Sequence, residues 1–291
     1  MSLDTRTTFV LIHGSGTSST MWGPIQQELA LQGWRSYAID LPGHGAQARY
    51  PVSYQAPQDL EAFAAEPSTL AGVTLDDNVA ALEAAVRRLR GLQEHSPVVL
   101  VASSHGGVTA TVFANRHLEL VDGLVYISAW ACASRESPLE YMAEPESAES
   151  LLPGLGGLNV EVDPAWGVGR ANYRTADPEL LGLLKASLMD EADDQQFMAF
   201  LNSMEPDESA AVMMGDARLD PDNLGKVPHT YLRLLQDRSL PIAMQDRLIA
   251  EADALTPDNP FTVHTLDASH AGFIHRSDEV VRVLTGGPAT R

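Results

Sequence analysis

The sequence predicts an α/β fold: a mainly parallel, doubly wound sheet of about six strands, with one large segment inserted into it. Three observations carry that prediction. Short β-rich runs alternate with helical patterns almost throughout the 291 residues, as in parallel strands joined by crossover helices. Four β-formers, Val98–Val101, run straight into the small-residue cluster Ala102–Gly107, and a helix-like pattern follows from Val108 to Ala114. The alternation breaks only once, between Ala131 and Pro228. The length suits one large domain with an insertion.

In chain order, Thr7–Ile12 is the first expected strand and Met21–Leu31 the first helix. A second strand, Ser36–Ile39, precedes a helix at Leu75–Leu89. Thr74, with Asp77 three residues on, gives that helix a capping-box-like start, and Val79, Leu82, Val86 and Leu89 recur at helical spacing. Val98–Ala102 and Leu124–Ser128 are the next strands. After the break come the strand Thr230–Leu235, the helix Ile242–Ala252, the strand Phe261–Leu266 and the helix Ser277–Leu284.

Residues 131–228 contain no convincing strand. They hold Pro153-Gly154-Leu155-Gly156-Gly157, several acidic helical segments, and six of the nine methionines: Met142, Met189, Met198, Met204, Met213 and Met214. The stretch leaves one strand and returns into the next. The expectation is therefore a helical cap, 131–228, inserted into a core formed by 1–130 and 229–291. Any one methionine could simply pack the cap onto the body. As a group, these flexible and polarizable side chains favour an apolar pocket beneath it.

Composition excludes several functions. The formal net charge of −20 argues against nucleic acid and against anionic membrane surfaces, which attract basic patches. No apolar run approaches the ~18 residues of a membrane span. No apolar stretch precedes Thr7, so no secretory leader is expected and a cytoplasmic location is. The single cysteine, Cys132, rules out an internal disulfide and reads as a buried, inert thiol after an apolar strand. Residues 131–228 hold 19 acidic and 6 basic side chains, which reads as a well-solvated surface that would repel a polyanionic substrate. No His, Cys and Asp cluster has metal-ligand spacing, so neither metal nor cofactor is expected. The expected partner is a small molecule; the sequence does not distinguish monomer from homodimer.

The order strand, tight turn, helix around Ala102–Gly107 is that of a nucleophile elbow. Such a corner needs very small residues two before and two after the nucleophile, because the strand and helix backbones nearly touch. Ser104 as nucleophile puts Ala102 and Gly106 there, and both fit; Ser103 would put Val101 and His105 there, and neither fits. Ala102, where glycine is usual, predicts a slightly crowded corner and a shifted Ser104 rotamer. A serine hydroxyl needs an imidazole base, a carboxylate to fix that imidazole, and donors for the developing oxyanion. The base belongs after the last strand, where His270 sits in Asp267-Ala268-Ser269-His270; His264, inside the strand, and His275, at the helix entry, read as structural. The acid belongs after a strand between the two. The segment after Leu124–Ser128 has no carboxylate, whereas Gln236-Asp237-Arg238 offers Asp237, with Asp267 as the fallback. Asp237 could instead cap the helix starting near Pro241, although Ser239 is better spaced for that. The two oxyanion donors expected are the backbone N–H groups of His105 and of Ser15, in the loop His13-Gly14-Ser15-Gly16. His13 itself reads as a brace for that loop.

Ile12-His13-Gly14-Ser15-Gly16, Asp40-Leu41-Pro42-Gly43-His44-Gly45, the elbow, Gln236-Asp237-Arg238 and Ser269-His270 together resemble the α/β-hydrolase superfamily, in order and across the chain outside the cap. The direct start at the first strand, and Tyr231-Leu232-Arg233 leading to Gln236–Pro241 and then Gln245, resemble the branch of plant methyl esterases and hydroxynitrile lyases, with its bacterial relatives. In that branch the lyases carry Thr after the first-loop histidine and Lys after the catalytic one. Gly14 and Ala271 stand there instead, so the resemblance implies the esterase side. Ser104 sets the chain apart from relatives with an aspartate nucleophile.

The function expected is hydrolysis of a small to medium, largely apolar, uncharged ester or lactone through an acyl-enzyme. Two alternatives stay open at the level of sequence. One is C–C bond cleavage or a polyketide-tailoring step on the same three residues; the other is a non-catalytic small-ligand sensor.

Overall fold

The computed structural model describes residues 7–92 and 96–286. The stretch ahead of Thr7, on which the expectation about a leader rests, lies outside them. Nine strands are described: β1 (Thr8–Ile12), β2 (Arg35–Ile39), β3 (Val98–Ser104), β4 (Gly123–Ala129), β5 (Asn159–Val160), β6 (Val168–Ala171), β7 (Asp207–Ser209), β8 (His229–Leu234) and β9 (Thr262–Leu266). Six of them form one sheet in the order β2-β1-β3-β4-β8-β9, and every pairing in it is parallel. This is the sheet the sequence predicts, with strand ends within about two residues of the expected ones.

Both faces of the sheet are covered, which explains why its central strands read as nearly continuous apolar runs. Side chains alternate between the faces. Phe9, Leu11, Val99 and Val101 belong to one apolar cluster with Ile25 and Leu29 of the helix Gly23–Leu31 and Val280, Val281 and Leu284 of the helix Ser277–Gly286. Val10, Ile12, Leu100 and Ala102 belong to the other, with the helices Leu75–Leu92, Gly106–Arg116 and Ile242–Leu255. The predicted capping box is present at Leu75: the Asp77 carboxylate accepts from Thr74 N at 2.9 Å, and Thr74 Oγ1 accepts from Asp77 N at 3.3 Å.

The chain enters at β1, moves outward to β2, then crosses back to β3 on the other side of β1. The helix after β1 and the helix after β3 therefore pack on opposite faces. Between them, at the carboxyl ends of β1 and β3, a crevice opens where an α/β sheet holds its ligand.

The segment between β4 and β8 corrects one expectation. It contains helices, notably Pro178–Leu188 and Asp194–Ser203, but also a three-stranded antiparallel sheet, β5-β6-β7. These strands span only two to four residues and carry Asn159, Arg170, Asp207 and Glu208, so no apolar alternation marks them. Charge pairing holds them instead. Buried Arg170 donates to both carboxylate oxygens of Asp207, at 2.6 and 2.7 Å, and to the carbonyl of Glu66 at 2.9 Å. The last contact ties the insertion to the segment after β2.

The insertion is also stitched to the loops beyond β8 and β9. Leu188 O accepts from Ala271 N at 2.7 Å and from Ser269 Oγ at 3.0 Å, and Ser187 O accepts from Ser239 Oγ at 3.0 Å. Leu184, Leu188 and Met204 join the apolar cluster on one face of the sheet and line the crevice.

Candidate active site

Ser104 ends β3 with φ +53°, a left-handed conformation forced by the turn from strand to helix. Such a conformation is costly for a residue with a side chain and persists only where its surroundings hold it. Here the neighbours hold it tightly. A Cβ on Gly106 would lie 2.6 Å from His13 O and 2.7 Å from Ile12 O, and one on Gly107 would lie 2.4 Å from Trp130 O. Ser103 is buried and lines only the smaller lobe of the crevice, whereas Ser104 lines both lobes. Ala102 is fully buried between Ile12 and Tyr126 in the sheet register, and the Ser104 hydroxyl still lies within hydrogen-bond distance of His270.

The loops after β8 and β9 bring two further residues to that serine. His270 Nε2 lies 2.9 Å from Ser104 Oγ, and His270 Nδ1 lies 2.5 Å from Asp237 Oδ2. Asp237 Oδ1 accepts from the amides of Ser239 and Leu240 at 2.7 and 2.8 Å. The Asp237 carboxylate is thus fully engaged and is not the cap of the following helix, which starts at Ile242 with Pro241 as its N-cap. The fallback carboxylate, Asp267, is exposed and bonds Gln236 Nε2 at 2.8 Å instead.

The loop after β1 faces the same hydroxyl: a Cβ on Gly14 would lie 2.9 Å from Ser104 Cβ. Within the described residues, neither Ser15 N–H nor His105 N–H donates to any group of the protein. His105 stands at the N-cap of the helix Gly106–Arg116, where free amides and the helix dipole favour negative charge. Its ring is buried, and burial lowers its pKa, which disfavours a charge on the side chain beside the open amide. His13 braces the loop. Its Nε2 accepts from Leu41 N at 3.2 Å, its Nδ1 donates to Gly14 O at 2.9 Å, and burial together with the His44 charge lowers its pKa to about 4.

Around Ser104 lies a cavity of about 150 Å³, with apolar walls that include Trp130, Met142, Leu152, Leu184, Met213 and Leu240. A second lobe of about 30 Å³, between Met21, Phe200 and Ala271, shares Ser15, Ser104 and His270 with it. Of the six methionines of the insertion, Met142, Met204 and Met213 line the cavity, whereas Met198 and Met214 are exposed. Cys132 is buried, and burial raises its pKa.

Sequence reasoning missed several residues. Ser128, at the end of β4, donates to Asp237 Oδ2 at 2.6 Å. A buried charge cluster sits behind the first loop. His44 Nδ1 meets Glu205 Oε2 at 2.8 Å, Glu208 Oε2 accepts from Gly16 N at 3.0 Å, Glu205 Oε1 accepts from Gly45 N at 2.8 Å, and Glu205 N donates to Gly16 O at 2.8 Å. Burial works against protonation of His44, but the hydrogen bonds of Glu205 and Glu208 outweigh it and raise its pKa to about 10. Burial likewise opposes ionisation of Glu208, but the His44 bond and charge lower its pKa to about 2. Both glutamates belong to the acidic segment expected to be solvated surface. Tyr173, after β6, also lines the cavity. The available signals were weak ones: His44 in the Gly43-His44-Gly45 motif, and a carboxylate pair three residues apart in a methionine-rich stretch.

A model of the alpha/beta hydrolase family matches residues 9–283. Among curated proteins, the chain is similar to the putative methylesterase 14, chloroplastic, of Arabidopsis thaliana, with 22% identity over 280 residues covering 95% of this chain and 70% of that protein. Among solved structures, it is similar to a pyrethroid hydrolase from Sphingobium faniae JZ-2, with a TM-score of 0.69, 21% identity, and coverage of 98% of this chain and 99% of that one. It is also similar to polyneuridine aldehyde esterase, with a TM-score of 0.68, 16% identity, and coverage of 96% and 97%. At these identities the structural likeness carries the fold.

Proposed function

The chain belongs to the alpha/beta hydrolase family, and on that premise we propose that it is a serine hydrolase of small to medium, largely apolar, uncharged carboxylic esters. One observation carries the reading: Ser104 Oγ, His270 Nε2, His270 Nδ1 and Asp237 Oδ2 form a continuous chain with steps of 2.9 and 2.5 Å, opening into an apolar cavity. The carboxylate holds the His270 tautomer that carries its proton on Nδ1, which leaves Nε2 to accept the serine proton. Ser104 Oγ attacks the ester carbonyl as His270 takes that proton. The carbonyl oxygen becomes an oxyanion between the Ser15 and His105 amides. Collapse of the adduct breaks the ester C–O bond, and His270 returns the proton to the departing alcohol. Water, deprotonated by the same imidazole, then releases the acid and restores Ser104.

Cavity size and charge support the substrate class. A cavity of about 150 Å³ takes a group about the size of benzene, and the lobe of about 30 Å³ takes only a small group beside it. Glu205 and Glu208, two carboxylates against the single His44 behind the first loop, disfavour anionic substrates. The relatives named as a methylesterase, a pyrethroid hydrolase and an esterase favour ester cleavage. Gly14 and Ala271 offer no hydroxyl or ammonium at the places where the related lyases carry them.

The test is a burst assay with a short p-nitrophenyl ester together with fluorophosphonate labelling. A stoichiometric burst, label on Ser104, and loss of turnover in Ser104→Ala are expected. Equal turnover by wild type and Ser104→Ala, or label on Ser103, would overturn the proposal.

A further inference from the structure

The cavity wall contains a polar group that the reaction outlined above does not use. Among the described residues, the Tyr173 hydroxyl finds no hydrogen-bond partner, although the ring packs against the apolar cluster beneath the insertion. It stands at the oxyanion loop. A Cβ on Gly16 would lie 3.2 Å from this hydroxyl, and Gly16, at φ +63°, follows the Ser15 amide directly. The absence of a side chain at Gly16 therefore leaves the phenol its place beside the open amide.

The neighbours of Tyr173 are braced on both sides. Asn172 exchanges two hydrogen bonds with Gln58, at 2.8 and 3.0 Å, and Asn172 N donates to Leu158 O at 2.7 Å. Arg174 N donates to Asn172 Oδ1 at 3.2 Å, and its guanidinium lies over the rings of Tyr54 and Tyr50, 4.6 and 5.6 Å from their centroids. A tyrosine held this way has little freedom to turn its hydroxyl elsewhere. Burial raises its pKa, with the Glu208 charge adding to the effect, so it remains a donor at any working pH. A donor fixed in a largely apolar wall, with no acceptor among the described residues, is suited to an acceptor carried in by a ligand.

Resting on the serine-esterase reading, we infer that Tyr173 is a specificity-determining residue whose hydroxyl donates a hydrogen bond to the ester group of the bound substrate. It thereby sets the carbonyl against Ser104 and selects esters over apolar molecules of the same shape.

The test measures binding without chemistry. In Ser104→Ala, the affinity for methyl benzoate is compared with that for 2-phenyl-1-butene, which replaces both ester oxygens by carbon. Adding Tyr173→Phe, which keeps the ring and removes only the hydroxyl, is expected to weaken methyl benzoate about tenfold, or ~1.4 kcal/mol. The hydrocarbon should bind equally well to both forms. Equal weakening of both ligands would mean that Tyr173 only shapes the wall, and would overturn the proposal. So would an unchanged affinity for the ester, or no measurable ester binding up to its solubility. Failure of the hydrolase reading shows separately, as turnover that survives Ser104→Ala, and the binding comparison then still decides Tyr173.

Discussion

Ser128 donates its hydroxyl to Asp237 Oδ2 at 2.6 Å, the same carboxylate oxygen that His270 Nδ1 meets at 2.5 Å. Ser128 has φ +38° within β4, and that kink coincides with the aim of its side chain at the next strand's loop. With the Ser239 and Leu240 amides on Oδ1, the carboxylate is held on four sides. Ser128→Ala leaves three donors, so the site should survive in a looser form. The expected cost is ~1.5–3 kcal/mol of stability, as for a hydrogen bond to a charged group. The expected kinetic effect is about a tenfold loss in kcat with little change in KM, because the defect lies in orienting His270 rather than in binding. Thermal melts and steady-state kinetics on a p-nitrophenyl ester check both. A fall in Tm with kcat unchanged would show Ser128 to be structural alone.

Asp237 and Asp267 both precede His270 in the chain, and only Asp237 reaches it. Asp237→Asn replaces the acceptor facing Nδ1–H by an amide and favours the wrong imidazole tautomer. A loss of roughly 10⁴ in kcat is expected, as in established Ser-His-Asp triads. Asp267→Asn removes only an exposed bond to Gln236 and should leave kcat within about twofold. If the two variants lose activity equally, Asp237 is not the acid.

What was legible in the sequence follows from the range over which each constraint acts. The elbow was readable because its constraint is local. Backbones in contact at Gly106 and Gly107 force small residues at adjacent positions, and that choice separates Ser104 from Ser103. The sheet was readable because strands buried on both faces are apolar throughout. The β5-β6-β7 sheet was not, since it depends on Arg170 finding Asp207, 37 residues away, rather than on a repeating pattern. His44 and Glu205 are 161 residues apart, and only their meeting turns an acidic surface segment into a buried cluster. Ser128 was not legible because a hydroxyl that holds a distant carboxylate leaves no spacing pattern of its own in the sequence.

The closeness of the elbow makes it intolerant of a single methyl group. At Gly106 the clash would be with two backbone carbonyls, His13 O and Ile12 O, which cannot rotate aside as a side-chain tip can. Gly106→Ala should cost about 3 kcal/mol or more and abolish activity by displacing the loop that carries Ser15. Gly156→Ala meets nothing within 4 Å and should be neutral within ~0.5 kcal/mol. Denaturant unfolding of the pair checks the contrast; similar midpoints for the two variants would mean that the backbones at the elbow separate easily.

The His44 cluster should make stability depend on pH in a defined direction. Burial alone would lower the His44 pKa, but Glu205 and Glu208 raise it from 6.5 to about 10, so folding increases its proton affinity. Its contribution is complete below pH 6.5, where the unfolded chain also carries the proton, and is lost as pH rises through about 10. Glu208 behaves oppositely: with its pKa lowered from 4.5 to about 2, its contribution is complete above pH 4.5 and lost as pH falls through 2. His44→Gln keeps a donor for Glu205 but removes the titrating charge. Subtracting its unfolding free energy from that of wild type cancels the other groups the two proteins share. The difference should be largest, at roughly 2 kcal/mol or more, near pH 5–6, and should shrink steadily toward pH 10. Because the Glu208 carboxylate that faces His44 also holds Gly16 N, the kcat of wild type should fall over the same alkaline range faster than that of the variant. A stability difference that stays constant from pH 6 to 10 would mean that His44 carries no proton in the folded chain.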